Sequence, residues 1–346
     1  MKKDIDTQNM FGAIRSFPDN ILEAMEIGSS IILCNDYSRI EKVVVAGMGG
    51  SAIGGDVSVT LTQDELKVPF IISRGYQLPN WVDEFTLVIC SSYSGNTEET
   101  LSSMKDAQSK NALICAITSG GSLNKICFSS GIDVIKIPGG LQPRAALAFS
   151  FVPMLYLLKQ IGLISSEFIS WLNQATDLLK VVRNQYSVDN ETNPTWILAE
   201  NIKDRLPIIY TDSNRLNAVA VRLKGQLSEN GKMLAYYNVL PEMNHNEIVG
   251  WENNSDLFEQ YCILWLLDKT NHSQVIERQK VTQRILDDSG VEQYIIKMEG
   301  KSFPERFLHM IHYGDWLSYW CGLSHGTDPS PVEKITQLKK EIASKI

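Results

Sequence analysis

Two α/β domains, each built on a parallel sheet flanked by helices, are the fold this 346-residue chain predicts. Three observations predict it. Unbroken apolar runs recur, with polar loops and helix-patterned stretches between them. The runs end in glycine and serine. A second series follows a long amphipathic stretch, and at roughly 150 residues per domain the length suits two domains.

The first run, KVVVAGMG (42–49), is β-branched and breaks at glycine, and SAIGGDVSVTLT behind it opens a helix. VPFIISRG (68–75), FTLVICSSYSG (85–95), ALICAITSGG (112–121) and GIDVIKIPGG (131–140) supply four more strands. NTEETLSSMKDAQSK, between the third and fourth, is polar with helical spacing. The greasiest run, AALAFSFVPMLYLL (145–158), is too short to span a bilayer and contains Pro153, so it reads as buried core helix. Over 161–192, Phe168, Trp171, Leu172, Leu178, Leu179 and Val182 recur at helical intervals. The second series holds TWILAEN (195–201), RLPIIYTDS (205–213), the helix NAVAVRLKGQLSENG, FEQYCILWLLD (258–268) and RFLHMIHYGDWLSYWCGLSHG. It closes on a charged helix, PVEKITQLKKEIASKI. The expected division is a domain over 1–160, a helical connection over 161–194 and a domain over 195–346.

Composition narrows the function. A net charge of −8 argues against a nucleic-acid binder, although a few donors in a cleft can still hold an anionic substrate. MKKDIDTQNMFGAIRSFPDN has two lysines without an apolar stretch behind them, so no secretory signal is expected. Six cysteines lack CxxC spacing and read as reduced, buried small hydrophobes. The expectation is a cytoplasmic protein with neither membrane nor nucleic-acid partner.

Right-handed crossovers gather the glycine- and serine-rich loops at the carboxyl ends of the strands, where ligands bind in open α/β sheets. Gly47-Met48-Gly49-Gly50-Ser51-Ala52 satisfies the dinucleotide pattern, yet the second strand ends in Arg74 where a ribose-binding acid is needed. No GK[ST] follows, so it is no P-loop. In SSYSGNTEET (91–100), Ser92, Ser94 and Thr97 place three hydroxyls ahead of a helix, and Gly95 lets the backbone turn. Hydroxyls with helix N-terminal N–H groups suit a small phosphate. The plainer alternative is that Thr97 caps the helix, with Glu98 and Glu99 at its positive end. TSGG (118–121) ends the next strand in the same style, and three such loops on one edge point to a phosphorylated small molecule. The glycines of the first loop are expected to let the backbone approach a sugar.

GMGGSAIGGD, SSYSGNTEET, TSGG and PGGLQPRAALAFSF resemble the sugar isomerase (SIS) domains of the bifunctional phosphoglucose/phosphomannose isomerases. The likeness continues through LKGQLSENGKMLAYYNVLPEMNHNEIVGW and GTDPSPVEKI and includes MFGAIRSFPDNILEA. The resemblance implies two flavodoxin-like SIS domains, a homodimer with shared active sites, and interconversion of aldose 6-phosphates with fructose 6-phosphate. Phosphate would then be held by Gly50, Ser51, Ser92, Ser94 and Thr97. Glu229, in QLSENGK, would be the base that shuttles a proton between C2 and C1. His245, sixteen residues on, would do acid/base work in ring opening, and in similar enzymes it reaches the neighbouring subunit's site. Arg144, after PGGLQP, would stabilise the enediolate as a fixed, always charged fork of donors. Lys334 would assist ring opening, and Thr327 would make room for either C2 epimer.

The remaining histidines, His272, His309, His312 and His325, show no metal-ligand spacing, and His309 with His312 reads as core or interface packing. The enediol route needs only a proton shuttle, so neither metal nor cofactor is expected. Two other classes stay open, a non-catalytic sugar-phosphate-binding SIS module and a nicotinamide-dependent dehydrogenase, and among isomerases another sugar phosphate stays open as substrate. The first class would need none of Glu229, His245 or Lys334; the missing ribose-binding acid opposes the second.

Overall fold

The computed structural model describes residues 5–344. Lys2 and Lys3 of the N-terminal stretch and the last two residues of the C-terminal helix lie outside the described residues. The chain forms two compact units: Ser16–Lys180 with Gly300–Glu305, and Met1–Arg15 with Val181–Glu299 and Arg306–Ile346. One division falls inside the helix expected as a connection, and the segment ahead of Ser16 goes with the second half of the chain.

After α1 (Met10–Arg15), which belongs to the second unit, the first unit opens with α2 (Phe17–Ser29). It continues through β1 (Lys42–Ala46), α3 (Gly49–Thr62), β2 (Phe70–Ser73), β3 (Thr86–Ser91), α4 (Glu98–Ser109), β4 (Leu113–Thr118), α5 (Gly121–Ser129) and β5 (Asp133–Lys136). All five strands are parallel, in the order β2-β1-β3-β4-β5, with Val43 opposite both Phe70 and Leu87. The predicted strands are all present. Each runs apolar because helices cover the sheet: β3 is buried along its whole length. The greasy run forms α6 (Leu147–Gln160), buried from Leu147 to Leu158 with Pro153 inside it, and packs on α2 and α3. Burial of an all-round apolar helix accounts for that composition. Five cysteines are buried as expected, but Cys34 is exposed because it lies in the loop before β1.

The long amphipathic helix is α7 (Glu167–Tyr186). The second unit then carries α8 (Pro194–Ile202), β6 (Leu206–Asp212), α9 (Asn217–Glu229), β7 (Tyr236–Leu240), β8 (Tyr261–Leu266), α10 (Ser273–Asp287), β9 (Glu292–Ile296), α11 (Phe303–Ser324) and α12 (Glu333–Ala343). Its four strands are parallel in the order β7-β6-β8-β9. TWILAEN lies in α8, which starts there because Pro194 takes the first position and Asn193 accepts from the N–H groups of Thr195 and Trp196. Both sheets place their first strand between the second and third, the flavodoxin-like order, so the halves share one architecture.

Buried charge pairs fix α11. Asp315 accepts from Arg222 at 2.9 Å and Gln226 at 2.7 Å, both on α9, and Arg306 pairs with Asp268. His309 and His312 are fully buried on the same helix. The Glu299 N–H donates to His309 Nδ1 at 3.2 Å, so the proton of the neutral ring sits on Nε2, 2.7 Å from the Tyr186 hydroxyl. Trp316 donates to His312 Nε2 at 3.1 Å. Both lone pairs are taken by protein, and these histidines are core residues.

Candidate active site

The first unit gathers six of the singled-out residues at the carboxyl edge of its sheet. β1 and β3 are neighbours whose chains depart to opposite sides, so a crevice opens beyond their ends. The helices α3, α4 and α5 follow β1, β3 and β4, and the residue at each cap position makes no side-chain capping bond, although the Ser122 N–H of α5 donates to Asn96 Oδ1 at 2.9 Å. Three positive helix ends therefore share one edge, with Glu98 and Glu99 in the first turn of the middle one.

The Ser51 hydroxyl accepts from the Tyr93 N–H at 3.2 Å, which binds the loop after β1 to the loop after β3. The Ser92 hydroxyl lies 2.8 Å from that of Thr97 and accepts from the Gly95 N–H at 3.1 Å. Thr97 occupies the cap position of α4, but its hydroxyl serves Ser92, not the helix. Of the capping alternative, the Thr97 side-chain bond is not made, whereas Glu98 and Glu99 do stand in the first turn of α4. Ser94 is exposed and accepts from the Asn96 N–H at 3.2 Å.

TSGG has a different task from the one expected. Its Ser119 hydroxyl donates to the Tyr93 carbonyl at 2.7 Å, and the Leu123 N–H donates to the Gly95 carbonyl at 2.8 Å. The third loop braces the second. Gly95 has φ +68°, and a β-carbon there would stand 1.8 Å from the Gly120 carbonyl oxygen, so only glycine fits. Gly50 is approached closely by main chain as well. A β-carbon on it would meet the Pro143 carbonyl at 2.7 Å, so this glycine admits protein backbone. That approach brings the turn Pro143–Ala145, with Arg144 only 5% exposed, against the first turn of α3. Arg74 pairs with Asp56 of α3, a structural use at the place a dinucleotide fold reserves for its ribose-binding acid.

The second unit brings together three more. A cleft of about 510 Å³ is lined by Glu229, Thr327 and Lys334, with Ser228, Lys232, Asp328, Glu333 and the segment 331–332. Glu229 is the last residue of α9, and the next residue, Asn230, is buried with its amide donating to Ser318 of α11 at 3.0 Å. The carboxylate is therefore mounted on a fixed helix end. Thr327 is set by its N–H, which donates to the Gly322 carbonyl at 2.9 Å. Asp328 accepts from Thr7 and from the Ser330 N–H, and the Ser330 hydroxyl donates to Asp6 at 3.1 Å. Asp6 also accepts from the Met10 and Phe11 N–H groups at 2.7 and 2.8 Å, which starts α1.

His245 does not line that cleft. It is exposed on the turn Glu242–His245, beyond the carboxyl end of β7, whereas α9 delivers Glu229 to the amino end of the same strand. Its turn is anchored by Glu247, which accepts from the Tyr210 hydroxyl, the Asn238 amide and, at 3.3 Å, the Tyr236 hydroxyl. Burial, with that carboxylate beside it, pushes the Tyr210 phenol pKa up. Glu247, Lys232 and Tyr93 were missed in the sequence. Each works through groups far along the chain or through main chain, and no local pattern marks such a role.

Among the described residues, no cluster of three or more His, Cys, Asp or Glu is placed to hold a metal ion, and no helix is long and apolar enough to cross a membrane.

Residues 191–342 match the model of the bacterial phospho-glucose isomerase C-terminal SIS domain. The bifunctional phosphoglucose/phosphomannose isomerase of Caldicellulosiruptor bescii is 41% identical over 96% of this chain and 99% of its own length. That of Aquifex aeolicus is 36% identical over 90% and 93%. Among solved structures, the C-terminal domain of glucosamine-fructose-6-phosphate aminotransferase from Francisella tularensis has the same fold, with a TM-score of 0.73 at 15% identity. The match covers 95% of this chain and 99% of that one.

Proposed function

Because this chain belongs to the bifunctional phosphoglucose/phosphomannose isomerase family, we propose that it interconverts glucose 6-phosphate and mannose 6-phosphate with fructose 6-phosphate. The observation that carries the reading is the cleft in which Glu229, Thr327 and Lys334 meet. A module that only bound a sugar phosphate would have no use for a carboxylate and an ammonium lining one cleft.

The two aldoses differ only at C2, and both lose that configuration when the C2 proton leaves. One base therefore serves both: Glu229 removes the proton from C2 of the open-chain aldose and returns it to C1 of the shared enediol. Arg144 stabilises the charge that develops on the enediolate oxygens. Ser51, Ser92, Ser94 and Thr97 hold the phosphate together with the helix N-termini and the main chain at Gly50. Lys334 and His245 open the ring, and Thr327 leaves space for either epimer.

The protein acts as a homodimer in which His245 completes the partner's site. Support comes from the placement of Glu229 and His245 at opposite ends of one strand within the unit. The site is cytoplasmic in setting, and the chemistry asks for no metal, since a proton shuttle suffices. The test is formation of fructose 6-phosphate from each hexose 6-phosphate, within a panel of hexose and pentose phosphates, with and without EDTA. Turnover of neither hexose phosphate would overturn the assignment, and loss of activity with EDTA would overturn the metal-free route.

A further inference from the structure

Lys232 stands three residues beyond Glu229 with φ +54°, in the left-handed region that side chains other than glycine, asparagine and aspartate seldom adopt. A lysine held there needs a reason, and its ammonium group supplies one. It donates to the carbonyl of Glu229, to that of Pro331 at 2.6 Å and to that of Pro329 at 3.2 Å. Three main-chain carbonyls thus accept from this one ammonium group. The first acceptor is the end of α9. The other two belong to the segment that follows Thr327 and leads into α12, which carries Lys334. Lys232 itself lines the cleft with all three residues.

We propose that Lys232 is the positioning residue of this cleft. It ties the helix end bearing Glu229 to the segment that joins Thr327 to Lys334, and so fixes the carboxylate against the ammonium across the cleft. A charge-assisted bond to a carbonyl is stronger and shorter than a neutral one, which suits a tie between two loops that share no strand. The proposal rests on Glu229 being the proton-transfer base.

The experiment compares Lys232→Met, similar in length but without donors, with Lys232→Arg, which keeps the charge and the donors. The readouts are kcat, KM, the melting temperature and the fraction of C2 tritium delivered to C1 instead of released to water. That fraction depends on where the base stands relative to the two carbons, and a residue that merely stabilised the fold would not move it. Lys232→Met is expected to lower kcat about a hundredfold, the effect of misplacing a catalytic group by about 1 Å. KM should stay within about threefold, because positioning acts on the transition state. The transferred fraction should fall, and Lys232→Arg should recover part of both losses. Unchanged kcat and transfer in Lys232→Met would overturn the proposal. So would a rise in KM with kcat kept, which would make Lys232 a substrate ligand. Glu229→Ala, measured alongside, keeps the two ideas apart: normal turnover there removes the base assignment, whatever Lys232→Met does.

Discussion

Glu229 and His245 stand at opposite ends of β7, the first closing the helix that leads into the strand and the second on the turn that leaves it. Five residues of strand cover about 17 Å, more than a histidine side chain can span. If both serve one reaction, they come from different chains. Glu229→Ala and His245→Ala should each be nearly inactive alone. Mixed in equal amounts and allowed to exchange subunits, they should recover about a quarter of wild-type activity, since half the dimers carry one intact site of two. No recovery, with exchange verified by mass, would return His245 to its own chain's surface.

The phosphate cradle is tested at Thr97. Its hydroxyl bonds buried Ser92 and caps nothing, so Thr97→Val should raise KM about tenfold while lowering the melting temperature by only a few degrees, roughly 2–6 °C. Steady-state kinetics and a thermal scan read the two effects. A cap-like loss of stability with unchanged KM would contradict the cradle.

Gly95→Ala should destabilise the first unit by roughly 2–4 kcal/mol, because a β-carbon would strike the Gly120 carbonyl at a backbone angle alanine avoids. Urea denaturation monitors the loss. A drop of less than about 0.5 kcal/mol would mean that the brace between the two loops yields easily.

Acid should weaken the second unit through its buried histidines. Burial pulls His309 down to about 4 and His312 to about 3, below the 6.5 of an unfolded chain. Below pH 6.5 the unfolded state takes up protons that the folded core refuses. The stabilisation is thus complete above pH 6.5 and is lost as pH falls toward 4 and then 3. Within that window the slope is roughly 1.4 kcal/mol per pH unit for each histidine. Melting temperatures at pH 7 and pH 5 check it, and a flat profile would contradict the buried neutral rings.

Much of the fold was legible because burial writes itself into composition. The strands of the first sheet read as apolar runs, and so did β6 and β8, the central pair of the second. Its edge strands β7 and β9 did not. They have a neighbour on one side only and keep several residues partly or fully exposed, so Tyr236–Leu240 and Glu292–Ile296 carry no continuous apolar signal. At the site, Glu229, Thr327 and Lys334 were singled out by motif, and the structure brings them into one cleft. Motif says nothing of the supports. Lys232 works through carbonyls, which every residue has, and Thr118 and Ser119 look like ligand donors until their partners at Gly120 and Tyr93 are known.

The clasp between Thr7 and Asp328 joins residues 321 positions apart in the chain. At roughly 5–20 residues per second on a ribosome, Thr7 waits about 15–60 seconds for its partner to be made. During that interval residues 16–180 have been made, and only Gly300–Glu305 of their unit is still to come. The loop beside Thr327 is therefore finished only when a segment made early meets one made late. A chain that ends before Asp328 lacks the acceptor that Thr7 bonds.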